Sequence, residues 1–416
     1  MSEENKNLQD FESFLNDMRS APEKAKPVAS PAVQRDDDAL EPIEEEETAP
    51  VAAKTKKAGK GGGKKKKKGV RVLVALLCVF AVLFGGGYFA LQHFIGQLNY
   101  VPMEEQTGVA AENESDYIEE VEDETGDPDL ALSDAEYDSL KEMLDQNVKD
   151  SSIVLSDENV WNILLVGADN VRQNTKGRSD SMILVSVSKN TEKIVLTSIM
   201  RDSYLKVHNY GYERINAALS TGGISRLVKT IETNFGIHVD NYAMVDFNVF
   251  QKVVNAIGGV YLNVTKEEVN NLNKYMRNLK RTDCLLEYSD EPIHLNGLQA
   301  LYYARMRNIG NSDFDRTARQ RKVIVAAKDR VLAMDLKDIL ALITEYLPAI
   351  TTDIDVNTCV SLLFSAYNML QNYDIEQLRF PVNGSFSSVT IDGKAVLRID
   401  SFNKNINAWK NLVYGK

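Results

Sequence analysis

Apolar positions along this 416-residue chain change their spacing several times, and each change marks a different kind of element. Residues 72–91 (VLVALLCVFAVLFGGGYFAL) have no polar face. As a helix at roughly 1.5 Å per residue they reach about 30 Å, the hydrocarbon thickness of a bilayer. From residue 160 the pattern becomes regular. Residues 161–166 (WNILLV) form a short apolar run suited to a buried strand, and 181–188 (SMILVSVS) and 194–200 (IVLTSIM) are two β-rich segments joined by a turn at 190–193. Helical spacing returns over 215–235, with Ile224, Leu227, Val228, Ile231 and Phe235 on one face and Gly236 as a stop signal. Strands over 242–247 and 260–264 bracket a helix over 249–257, and two more helices are indicated at 297–307 and 316–332. Beyond Met334 the pattern predicts helices over 336–347 and 356–370, a strand at 377–382, a hairpin over 389–399 turning at Asp392-Gly393, and a final helix over 403–413. A hairpin combined with strand–helix–strand passages predicts an α/β (α+β-type) domain. Its central sheet is expected to be mixed and largely antiparallel, flanked by helices, behind a single N-terminal transmembrane helix.

Charge divides the same chain differently. The formal net charge is -12, but residues 1–53 hold 14 acids and 5 bases, and residues 54–71 hold ten bases and no acid. Residues 72–103 carry no Asp, Glu, Lys or Arg, residues 104–150 hold 18 acids and 2 bases, and 151–416 hold 28 acids and 31 bases. The acidic total therefore describes the tails, and only the nearly neutral C-terminal part is large enough to bury a substantial core. A secretory signal peptide competes with the anchor reading, but about seventy residues precede the apolar run and no clean small-residue cleavage pattern follows it. The lysines at 54–68 sit on its N-terminal side, which by the positive-inside bias places that side in the cytoplasm and everything after Tyr100 outside. The GGGKKKKKG stretch lacks the G-x-x-x-x-G-K-[ST] pattern, so membrane topology explains it better than nucleic-acid or phosphate binding. The expected organisation is a disordered cytoplasmic tail with its Lys-rich collar at 1–71 and a transmembrane helix at 72–95. An acidic, extended extracytoplasmic spacer at 96–153, ending in a short helix near 137–148, leads to a catalytic domain at 154–333 and a helical and hairpin extension packed on it at 334–416.

His93, His208, His238 and His294 share no metal spacing, and no G-x-S-x-G or Cys/His arrangement is present, which leaves serine, cysteine or zinc hydrolysis little support. Cys78 falls in the apolar run; whether Cys284 and Cys359 pair is open. What is crowded is Arg with Asp at the edges of predicted elements: Asp169 after the first strand, Arg178 and Asp180 opening the second, and Arg201-Asp202 ending the third. Arg214 opens a helix, Arg305 and Arg307 end another, and Asp313, Asp315, Arg316, Arg319, Gln320 and Arg321 surround the start of the next. Guanidinium forks match phosphate oxygens, and two carboxylates such as Asp169 and Asp180 suit Mg²⁺ whose remaining ligands come from substrate and water. Solvated ion pairs at helix ends are the competing reading of any single one of these residues.

NILLVGAD, GRSDSMILVSV, SIMRDSYLKV, ERINAALSTGG, DNYAMVDF, AIGGVYLNV, HLNGLQALYYARMR and DFDRTARQRKVI follow one another in this order. Together they resemble the catalytic domain of the LytR-CpsA-Psr family of Gram-positive cell-envelope proteins, most strongly over residues 162–331. The resemblance implies a sheet flanked by helices with a hydrophobic tunnel for a polyprenyl chain. It also implies a phosphotransferase on the outer face of the membrane, moving a glycopolymer such as wall teichoic acid or capsular polysaccharide from polyprenyl pyrophosphate to peptidoglycan. By the same resemblance Asp169 and Asp180 hold Mg²⁺, and Arg178, Arg201, Arg214, Arg305, Arg307 and Gln320 line the pyrophosphate. Arg201, Arg305, Arg307 and Asp313 are the catalytic set. Asp315 stands where relatives carry a Gly, which leaves open which acid accepts the proton, with Asp202 as a further candidate. The apolar faces of 224–235 and 249–257 are candidate tunnel walls as well as ordinary core. A polyprenyl-pyrophosphate phosphatase, or a wall-polymer binding module without turnover, would share much of this pattern, whereas a nucleic-acid partner is not expected.

Overall fold

In β2 (Val160–Ala168) every second residue is buried and those between are half-buried, the signature of a central strand covered unequally on its two faces. The computed structural model describes residues 99–103, 125–150, 154–168, 177–355, 358 and 366–415. The expected transmembrane helix and cytoplasmic tail, Asp169, Cys359 and most of the helix expected at 356–370 lie outside the described residues. Among the described residues no helix is long and apolar enough to cross a membrane.

β2, β3 (Ser179–Ser188) and β4 (Lys193–Ile199) form the antiparallel centre of a mixed sheet. β7 (Asn241–Val245) lies parallel to β2 on one side, followed by the short β10 (Thr351–Thr352) and β1 (Asn99–Tyr100). On the other side β11 (Asp374–Phe380) pairs in parallel with the whole of β4. The C-terminal segment thus supplies an edge strand of the main sheet. A second sheet, in the order β12 (Phe386–Ile391), β13 (Lys394–Ile399), β5 (Ser203–Val207) and β6 (Gly211–Arg214), ties the same segment to the residues that follow β4.

The two faces of the main sheet carry different helices. On one, Leu164, Val166, Met182, Leu184 and Val195 join a core with α2 (Ala217–Phe235), whose Ile224, Leu227, Val228, Ile231 and Phe235 are all buried. These five residues are core and do not line the cavity described below, which answers one of the two tunnel-wall expectations. Helix α7 (Phe402–Tyr414) closes this face: Trp409 is fully buried and its indole N–H donates to Ser186 Oγ at 3.0 Å. The other face carries α3 (Phe247–Ala256), α5 (Gly297–Arg305) and α6 (Ser312–Leu332), packed around a second apolar cluster with the β8 (Val260–Leu262) and β9 (Ile293–Leu295) ribbon. Helix α4 (Lys266–Asn278), absent from the sequence expectation, starts at a capping box in which Thr265 and Glu268 satisfy each other's backbone N–H groups.

The acidic stretch expected as an extended spacer folds in its last third. Helix α1 (Asp134–Asp150) lays Leu140 and Leu144 into the main core and turns its acids outward, where Asp145 takes bonds from Lys206 Nζ at 2.5 Å and Tyr212 Oη at 2.8 Å. Its charge density suggests extension, but a few apolar residues at helical spacing outweigh the repulsion once a core is there to receive them. Leu144→Ala is expected to cost about 2–5 kcal/mol in denaturant unfolding. Glu142→Ala, on the exposed side of the same helix, should stay within about 0.5 kcal/mol.

Candidate functional site

Strand register builds the floor of a cavity. Leu165 of β2 pairs with Ile183 of β3 and with Ala243 of β7, and Gly167 pairs with Ser181 and Val245, so two rows of small and apolar residues cross three strands. Phe247 and Phe250 of α3, Leu301 and Ala304 of α5, and Val323 and Ile324 of α6 stand over them. The enclosed space is about 290 Å³ and is mostly apolar-lined. Its polar end is formed by Asp180, Arg201, Arg305, Arg307, Arg316 and Gln320. The α3 half of the tunnel-wall expectation is therefore met only by its N-terminal turns, since Val254 and Ile257 belong to the second apolar cluster.

Asp313, buried in the first turn of α6, holds the polar end together. Arg307 Nε donates to its Oδ1 at 2.5 Å, and Arg201 Nε and Arg316 Nη2 both donate to its Oδ2 at 3.2 Å. Arg201, buried where β4 ends, also reaches Asp180 Oδ1 at 3.0 Å and lies 3.6 Å from Asp202. Burial opposes its charge, yet Asp202, Asp313 and Asp180 hold it above the ordinary guanidinium value. Asp202 in turn accepts from Arg214 Nη1 at 3.4 Å. Burial, together with a hydrogen bond shared with Asp313, raises Asp202 to about 7, against the pull of Arg201 and Arg214.

Four arginines thus meet three carboxylates in a partly dry site, with Arg305 beside them at the cavity. Among the described residues Arg307 uses only Nε; its Nη1 and Nη2 are buried without a hydrogen-bond partner there. Arg305 lies with its guanidinium carbon 4.3 Å from the Phe247 ring centroid, at the boundary between the apolar and charged parts of the cavity. Buried donors without acceptors are costly, so this end is built for an anion. Gln320 is fixed by Ser181 Oγ, which donates to its Oε1 at 3.1 Å.

Of the residues expected from the sequence, Asp180, Arg201, Arg305, Arg307 and Gln320 meet at the cavity, and Asp313 stands directly behind them. Arg214 is one carboxylate removed, through Asp202. Arg178 is exposed and does not line the cavity, and Asp169 lies outside the described residues. Arg316, counted in the sequence among the crowded charges but not in the expected pyrophosphate set, also lines the site; its signal was the three-residue spacing from Asp313, which puts both on one helical face. Arg319 and Arg321, close by in sequence, serve elsewhere. Arg319 is bound by buried Glu268 at 2.7 Å and by the Met306 and Ile309 carbonyls. Cys284 carries a free thiol.

Among the described residues no group of three or more His, Cys, Asp and Glu gathers to hold a metal. Asp180 fits the sparser requirement of Mg²⁺, which takes one or two carboxylates and completes its shell with phosphate oxygens and water. It lines the cavity, and among the described residues only its Oδ1 accepts a hydrogen bond from the protein.

The LytR_cpsA_psr family model matches residues 131–411. The chain belongs to this family. It is 30% identical over 270 residues to the Polyisoprenyl-teichoic acid–peptidoglycan teichoic acid transferase TagU of Oceanobacillus iheyensis, covering 61% of this chain and 78% of that protein. It is 29% identical over 256 residues to the regulatory protein MsrR of Staphylococcus aureus, covering 59% and 71%. The crystal structure of Bacillus subtilis TagT superposes with a TM-score of 0.50 at 21% identity, over 64% of this chain and 96% of that one, which shows the shared fold. The match reaches well past residue 334, as expected of a domain whose main sheet is completed by β11.

The Asp202–Asp313 pair makes stability depend on pH in this family member. Unfolded, Asp202 ionises near 3.8; folded, near 7. The folded state retains a proton through that window, so this group's contribution is complete below about pH 4 and is lost as pH rises through 7. Asp202→Asn keeps a hydrogen-bond donor toward Asp313 but cannot ionise. Between pH 5 and 8 the Tm of the wild type is expected to fall relative to that of Asp202→Asn; parallel Tm curves would show that Asp202 is ionised throughout.

Proposed function

We propose that the chain is a membrane-anchored phosphotransferase that moves a teichoic-acid-type glycopolymer from polyprenyl pyrophosphate to peptidoglycan outside the cell. One observation carries the reading: an apolar cavity ends on Arg307, whose two terminal nitrogens are buried and unpaired. An isoprenoid chain suits the apolar part and a pyrophosphate suits the arginines. The relatives' name as teichoic acid transferases supports the donor and the peptidoglycan acceptor, and the apolar run at 72–91 with its lysine collar supports the anchor and its orientation.

In this reading an acceptor hydroxyl oxygen attacks the phosphorus next to the glycan. The new P–O bond forms as the bond to the bridging pyrophosphate oxygen breaks, and lipid monophosphate leaves with that oxygen. Arg305, Arg307 and Arg201 take up the charge that spreads over the phosphoryl oxygens. Both oxygens of Asp313 are engaged by guanidiniums, so its task is to hold them, and the hydroxyl proton passes to Asp202 in its ionised form, whose pKa of about 7 suits general-base work. Asp180, with Asp169, would hold Mg²⁺, which supplies further positive charge to the pyrophosphate oxygens when bound.

The test is to incubate the full chain in detergent with a polyprenyl-pyrophosphate glycan, Mg²⁺ and peptidoglycan oligomers, and to follow the covalent product by mass spectrometry. The wild type is expected to form a glycan–peptidoglycan phosphodiester, and Arg307→Ala to slow it by about 10²–10³-fold. Release of glycan phosphate without attachment to the acceptor would refute the transferase reading, and full activity in Arg307→Ala would refute the site.

A further inference from the structure

Helix α6 has two working faces. Arg316, Gln320, Val323 and Ile324 look onto the cavity, whereas Phe314, Thr317 and Arg321 pack toward β4 and β11 on the far side. On that far side the C-terminal strands bring a second polar cluster against the turn that carries Asp313. Arg379 of β11 has its guanidinium carbon 4.3 Å from the Phe314 ring centroid and 5.5 Å from that of Phe386, the first residue of β12. The two rings are stacked 5.4 Å apart. Arg379 Nη2 donates to Asn383 Oδ1 at 2.6 Å, and its Nη1 is buried without a partner among the described residues.

Arg321 stands beside it, 8% exposed, donating to Gln377 Oε1 at 3.1 Å and to Ser198 Oγ at 2.6 Å. Both arginines therefore have neutral partners, and no carboxylate among the described residues pairs with either. Burial and then Arg379 pull the Arg321 guanidinium down to about 10, the mark of two positive charges held close without compensation. A structural brace would cost less with an acid in it. The cluster also has the composition of a sugar site: two half-buried aromatic rings, with the amides of Gln377 and Asn383 exposed at its rim.

We propose that this cluster binds the acceptor, a carboxylate-bearing glycan chain, with a sugar packed on the exposed parts of Phe314 and Phe386 and a carboxylate on Arg379, backed by Arg321. The assignment to the acceptor rests on the transferase reading above and on position. In-line displacement requires the attacking hydroxyl to approach from the side opposite the leaving lipid phosphate. The lipid belongs to the cavity over β7, β2 and β3, and the cluster lies across α6 over β4 and β11.

The test is calorimetric titration of the full chain in nanodiscs with three probes: a solubilised peptidoglycan saccharide bearing free carboxylates, neutral chitotetraose, and a short polyprenyl pyrophosphate. The wild type is expected to bind the carboxylate-bearing saccharide at least tenfold more tightly than chitotetraose. Arg379→Gln should remove that preference and Phe386→Leu should weaken both saccharides, while polyprenyl pyrophosphate binds all three proteins within twofold. Unchanged saccharide affinity in both variants would overturn the proposal, as would an equal loss for all three probes, which would mark the cluster as a brace. No donor or turnover enters the measurement, so a chain that binds the saccharide and transfers nothing refutes the transferase reading separately.

Discussion

One carboxylate organises this molecule. Asp313 accepts from Arg201, Arg307 and Arg316, and each comes from a different part of the fold: the end of β4, the loop after α5, and α6 itself. Like-charged guanidiniums that close repel one another, and burial adds to the cost of each. Burial, joined by repulsion from Arg201, pulls Arg316 below its ordinary value in spite of Asp313. The arrangement persists because the acid is itself buried at a helix start and because Asp202, raised to about 7, is protonated below that pH, so that there the two acids do not both carry full charge. What remains is an excess of positive charge facing a cavity, with Arg307 presenting two unsatisfied nitrogens.

The frame for this charge comes from both ends of the described chain. β11 runs along the full length of β4 and so sets the place where Arg201 leaves the sheet; Met200 N–H donates to the Phe380 carbonyl at 2.8 Å just before it. β13 pairs with β5, and the Leu397 N–H donates to the carbonyl of Asp202 at 2.9 Å, fixing the backbone of the acid that shares its proton with Asp313. The C-terminal segment thus positions the residues that carry charge from the N-terminal half. At the other end α1 seals the main core from beneath β5.

Much of this was legible in the residues. The strands 161–166, 181–188 and 194–200, the turn between them and the final hairpin follow from apolar patterning and turn chemistry, and the structure places β2, β3, β4, β12 and β13 there. The gathering of Asp180, Arg201, Arg305, Arg307 and Gln320 followed from the family resemblance and not from spacing, since arginines at the ends of predicted elements do not announce which of them converge. Arg319 and Arg321 had the same local sequence setting as Arg316 and Gln320, and only the angle each makes around α6 separates the residues that face the cavity from those that do not. α1 was expected as a short helix near 137–148, but charge density masked the packing of its Leu140 and Leu144 into the core, and the short β5, β6 and β9 strands were missed because pairing with distant partners, not local propensity, defines them. The choice between core and tunnel wall for Ile224 to Phe235 needed the register of the sheet, which no local pattern carries.

The central claim is that the arginines held by Asp313 grip a pyrophosphate whose isoprenoid chain fills the apolar cavity. A crystal structure of the chain with geranylgeranyl pyrophosphate tests it most directly. Phosphate oxygens on Arg307 Nη1 and Nη2, with the isoprenoid between the Leu165–Ile183 row and Phe250 and Ile324, are the expected result. A pyrophosphate bound away from Arg307, or an isoprenoid outside the space between the sheet and α3, α5 and α6, would contradict it.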